Sequence, residues 1–151
     1  MPRRWSAALW WLVPTLAAGC VGDGTGLDPD GNPSGCAPPG SGVSFCADVQ
    51  PIFTASCAFS GCHAGAAPQL GQNLSAGNAY ASIVDVPSVE APALDRVEPG
   101  APDDSYLVHK IEGTFASVGG SGGRMPLGQG ALPQADIDVI RAWIAAGAPN
   151  N

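Results

Sequence analysis

The stretch SCAFSGCHAG, residues 56–65, holds Cys57 and Cys62 with four residues between them and puts His63 directly after the second cysteine. Two thiols and an imidazole this close in sequence suit three chemistries. The sulfurs can join in a disulfide, which leaves His63 unused. With one further ligand the trio can hold zinc, but His109 is the only other histidine and the remaining cysteines are poorly spaced for it. Alternatively, the two sulfurs form thioether bonds to a haem while His63 binds its iron, which uses all three residues. The usual attachment signature has two residues between its cysteines. The adjacency of Cys62 and His63 suits this chemistry, because the residue after the second thioether can turn under the porphyrin to reach the iron. The intervening loop can bulge away, and Gly61 accepts the backbone angles such a bulge needs.

An electron-transferring iron needs a second axial ligand. Apart from Met1, Met125 is the sole methionine, and it sits in GGRMPLG. Pro126 pushes its predecessor out of helical conformation, and the glycines permit close approach to a flat ring. A single methionine more often fills a core gap, yet a polar glycine loop suits that role badly. A His–Met pair raises the potential of a haem. His109 is the rival ligand. It falls two residues after Leu107 in SYLVHKIEG, off the apolar stripe, and reads as an exposed or capping side chain.

The elements that must position these residues are few. With 21 glycines and 15 prolines in 151 residues, loops dominate and the core is thin, so the chain should be poorly folded without its cofactor. Residues 1–19 read as a signal peptide, with Arg3 and Arg4 before a short apolar run. The ending LAAGC resembles the lipobox of bacterial lipoproteins, which implies acylation of Cys20, while plain secretion would use the same run. Residues 20–42 have almost no large apolar side chains and read as a flexible linker; DPDGN within it lacks the closing acid of a calcium loop. With Cys20 acylated, Cys36 and Cys46 are left as a disulfide pair, which export permits.

The folded domain spans 43–148 and is all-α, with about four short helices. Phe45, Val49, Ile52 and Phe53 recur at helical spacing after Ser44, a cap candidate, with Pro51 marking a separate first turn or the helix start. A second helix is expected around Tyr80 and Ile83. A third covers PDDSYLVHKIEG, with Asp103 and Asp104 at its positive end and Gly113 as its stop. The clearest is LPQADIDVIRAWIAAGAP, with Pro133 in its first turn and Ile137, Ile140, Trp143 and Ile144 facing inward. No strand pattern stands out.

The chain has a formal charge of −7, and loss of the signal removes two arginines and no acid. Binding to nucleic acid through phosphate contacts is thereby excluded, while a basic partner surface could be steered towards it.

FCADVQPIFTASCAFSGCHAG, VEPGAPDDSYLVHKIEG and MPLGQGALPQADIDVIRAWIAAGA together resemble a monohaem cytochrome c domain, in the form carried by bacterial envelope lipoproteins. The departure is the four-residue spacing between the cysteines. The resemblance implies a small cytochrome c-like fold around one haem c. Cys57 and Cys62 would be the thioether sites, with His63 and Met125 as axial ligands. Ile140 and Trp143 would be contacts between the first and last helices. The expected function is electron transfer, without catalysis. The protein would be lipid-anchored to the bacterial cell envelope, facing the periplasm or exterior, and would exchange electrons with redox partner proteins. The alternatives are a haem-free, disulfide-stapled lipoprotein domain with an interaction role, or an enzyme with an open haem face.

Overall fold

The computed structural model describes residues 42–151; the signal segment, Cys20, Cys36 and nearly all of the linker lie outside the described residues. Ser44 caps the first element as expected, its hydroxyl accepting from the Ala47 N–H at 3.2 Å. A wide π-type turn over Phe45–Val49 follows, then helix α1 (Gln50–Ser56). Pro51 cannot donate a backbone hydrogen bond, so the first turn is separate in geometry while the chain runs on into the helix. Phe45, Val49 and Phe53 are buried along one side.

Helix α2 (Ala79–Ile83) supplies Ile83 and a half-buried Tyr80 to the core. Helix α3 (Tyr106–Glu112) is shorter than the sequence suggests, because Pro102–Asp104 forms its own 3-10 turn. The Ser105 hydroxyl turns back to the Ala101 carbonyl at 3.0 Å instead of capping α3, and that separates the two. Asp103 is thus not a dipole partner of α3; it pairs with Arg141 of the last helix. Gly113 ends α3 with a left-handed φ of 84°. Helix α4 (Gln134–Ala145) begins after Pro133, which stands at the capping position rather than inside the first turn.

The described residues contain isolated β-bridges and no sheet, so the domain is small and its regular structure helical, with four α-helices. Its core centres on Phe45, whose ring lies 5.1 Å from Trp143 and 5.4 Å from Tyr80. Ile140, Trp143 and Ile144 are fully buried. The N-terminal turn therefore seats on α4 through Phe45 and Trp143. The chain end closes the same side: the Asn151 carbonyl accepts from Cys46 N–H at 2.9 Å and from the Ser44 hydroxyl at 2.7 Å. Cys46 is disulfide-bonded; its expected partner, Cys36, lies outside the described residues.

Candidate functional site

Cys57 is the residue on which α1 ends, its N–H still bonded to the Phe53 carbonyl. The chain then loops through Phe59 to Gly61, which adopts a φ of +82°, the conformation anticipated for the bulge. Its Cβ position is open space, so the dihedral and not crowding is what favours glycine there. Cys62 is exposed, Cys57 half-buried, and both are free thiols. Burial pushes the Cys57 thiol up to about 11, with the neighbouring Cys62 adding to the rise.

His63 is half-buried beside them. Its backbone carbonyl accepts from Leu74 N–H at 2.7 Å, and its Nδ1 donates to the Gln72 carbonyl at 3.2 Å. The ring is thereby oriented, with Nε2 as the nitrogen available to a metal. Burial lowers its pKa, which favours the neutral imidazole that a metal needs. Gln72 follows a short turn, Gln69–Gly71, in which Leu70 holds a left-handed φ of 53°. Arg96 braces this turn: its guanidinium donates to the Leu70 carbonyl at 2.8 Å and to the Ser82 carbonyl at 2.6 Å.

Met125 reaches the same place from the opposite side of the sequence. It is half-buried, and its N–H donates to the Lys110 carbonyl at 2.9 Å. Pro126 after it is buried, and the peptide between them is cis.

These four residues converge. Cys57, Cys62, His63 and Met125 all line one open cavity of about 460 Å³, within the range of cofactor sites. A smaller apolar space of about 50 Å³, walled by Phe53, Leu74, Ile111 and Leu132, continues from it and shares Cys57, His63 and Met125. Among the described residues, Phe59, Leu70 and Leu127 are three of the four large apolar side chains left exposed, and all three border the open cavity. The cavity thus gathers two thiols, an imidazole and a thioether, with Glu90 and Lys110 also on its wall and apolar side chains at its rim. The donor set suits a haem, with the imidazole and thioether as its iron ligands.

His109 stands apart from this cavity. Its Nδ1 is 2.8 Å from the Thr114 hydroxyl after α3 and its Nε2 2.9 Å from the Asp103 carbonyl before it, so both nitrogens are engaged. The exposed or capping reading of this histidine holds. No group of three or more His, Cys, Asp or Glu side chains among the described residues is placed to hold a metal ion, and Cys57, Cys62 and His63 do not form such a group themselves.

Sequence reasoning missed the supporting residues. Gln72, Arg96, Glu90 and Lys110 carry no motif, and each acts through a backbone carbonyl or a partner brought from another loop. The left-handed Leu70 left no signal either, since bulky residues rarely adopt that conformation. No protein-family model, curated protein or solved structure matches the chain.

Proposed function

We propose that the protein is a monohaem c-type electron carrier of the bacterial envelope, anchored through an acylated Cys20 and built on a cytochrome c-like arrangement of its helices. The observation that carries this reading is the convergence of Cys57, Cys62, His63 and Met125 on one apolar-rimmed cavity. Cys57 and Cys62 would hold the porphyrin by thioether bonds, and His63 and Met125 would bind its iron. When bound, the haem supplies a metal centre that gains and loses one electron.

The chain's own part is to bind, orient and keep water away. Gln72 fixes the His63 ring and leaves Nε2 free. Arg96 holds the turn that presents Gln72. Leu70, Phe59 and Leu127 exclude water from the rim, which bears on the potential through the local dielectric. No acid, base or nucleophile is required for such a role.

The raised pKa of Cys57 makes it a reluctant thiolate, so attachment would depend on a dedicated maturation machinery in an oxidising compartment. A haem-free domain with a Cys57–Cys62 disulfide is the competing reading, and one measurement separates them. The mass of the protein purified from its native host should exceed that of the mature chain by one haem and the acyl groups at Cys20. A colourless product with two disulfides would refute the haem reading.

A further inference from the structure

The glycine-rich segment leading to Met125 rests on a charged cluster that the sequence does not announce, in which Glu90 is half-buried and both it and Lys110 also border the open cavity. Lys110 of α3 is buried; its ammonium lies 2.8 Å from Glu90 Oε2, which also accepts from the Tyr106 hydroxyl at 3.0 Å. The same ammonium donates to the Ser121 carbonyl at 2.9 Å and stands 4.8 Å from the centre of the Phe115 ring. The Lys110 carbonyl meanwhile accepts from Met125 N–H at 2.9 Å. One residue thus holds both ends of the segment 121–125, by its side chain at one end and its backbone at the other.

The glycines are explained by this seat. A Cβ at Gly122 would come 2.9 Å from Glu90 Oε1 and 3.3 Å from Lys110 Nζ; one at Gly120 would collide with the Tyr106 ring, 2.6 Å from Cε2. A buried ion pair is a weak source of stability, because desolvation offsets its attraction. Holding a loop in one geometry is a use that such a pair can serve. We propose that Lys110, oriented by Glu90, is the positioning residue for Met125, clasping its loop so that the thioether faces the cavity. This rests on the reading of Met125 as an axial ligand.

The test uses the full-length haem protein and the variants K110M, K110R, E90M/K110M and G122A. The double variant removes both charges together, and G122A keeps both charges but drives a methyl group against the pair and strains a backbone φ of 77°. In K110M and the double variant, amide exchange at Met125 should accelerate by about tenfold while exchange at Ile140 in α4 stays unchanged. The ring-current-shifted methyl resonance of Met125 in the reduced protein should weaken, and the reduction potential should fall as Met ligation is lost. G122A should do the same, whereas K110R, which can still reach the Ser121 carbonyl, should retain native values. Native exchange and an unaltered resonance in both E90M/K110M and G122A would overturn the clasp. So would an acceleration that included Ile140 equally, since Lys110 would then serve only global stability. If the unsubstituted protein lacks a Met125–iron signature, the axial-ligand reading fails separately, and amide exchange alone decides whether Lys110 holds the loop.

Discussion

The two cysteines of the site differ in environment, and the difference is measurable. Cys62 is exposed, whereas burial and the adjacent Cys62 raise the Cys57 thiol from 9.0 to about 11. Since the thiolate is the reactive form, ionisation alone should slow alkylation of Cys57 at neutral pH by about a hundredfold relative to an unperturbed thiol. In the haem-free, reduced chain, the rate at Cys57 should climb about tenfold per pH unit up to about pH 11, as read by peptide mapping after iodoacetamide pulses. Equal labelling of the two sites at pH 7 would count against the buried position of Cys57. Cys57, Cys62 and His63 stood out in the sequence because they fall within seven consecutive residues, and the structure places all three on one cavity. Gln72, Arg96 and Glu90 were not legible, because their roles depend on which carbonyl or ion a fold brings to them from elsewhere.

At the scale of elements, the seat of the first turn on α4 carries much of the packing. Trp143 is fully buried against Phe45 and its indole donates to the Pro149 carbonyl at 2.9 Å. W143A should cost about 3–5 kcal/mol in chemical denaturation, against about 1 kcal/mol for I140V. A second link joins α4 to α3 and to the turn before it, where Arg141 pairs with Glu112 at 3.1 Å and with Asp103. The Arg141 guanidinium holds the Asp103 carboxyl below its ordinary range. A depressed carboxyl stabilises the fold above the unfolded pKa, and that contribution disappears as pH falls through the folded value. D103N should therefore flatten the acid side of the stability profile as pH falls below the ordinary carboxylate range, and 1 M salt should do likewise, because both charges meet at an exposed surface. An acid limb identical to that of the unsubstituted protein would remove the pair from the account. The helices themselves were legible from their apolar spacing, while their starts were not. Pro133 stands one position before α4 and Pro102–Asp104 forms a separate turn, since a proline's fixed φ suits a cap, a 3-10 turn and a first helical turn alike.

At the scale of the molecule, the composition suggested a core too thin to stand without a cofactor, and the structure divides that expectation in two. One side is closed by contacts among Phe45, Tyr80, Ile140 and Trp143, none of which lines the candidate site. The other side, formed by 59–74 and 119–130, is loops around the open cavity and the apolar space beneath it. A haem tied to Cys57 and Cys62 would stay on the unfolded chain, so it would stabilise the fold only through the packing and axial bonds it makes in the native arrangement. Filling the deep 50 Å³ is by itself about 1 kcal/mol, or a shift in Tm of about 4–8 °C for a domain of this size. The open cavity adds the burial of Phe59, Leu70 and Leu127, so the full shift should exceed this. The haem-free chain should consequently unfold at a lower temperature and lose amide protection across 59–74 and 119–130 first. Val49, Ile83 and Ile140 should keep theirs. The haem-loaded and haem-free forms, compared by amide exchange at one temperature, decide the matter. Protection lost evenly across both sides would mean that the Phe45–Trp143 core does not hold without the site. Protection unchanged on both sides would mean that the cavity contributes nothing to folding, and the thin-core argument from composition would fall with it.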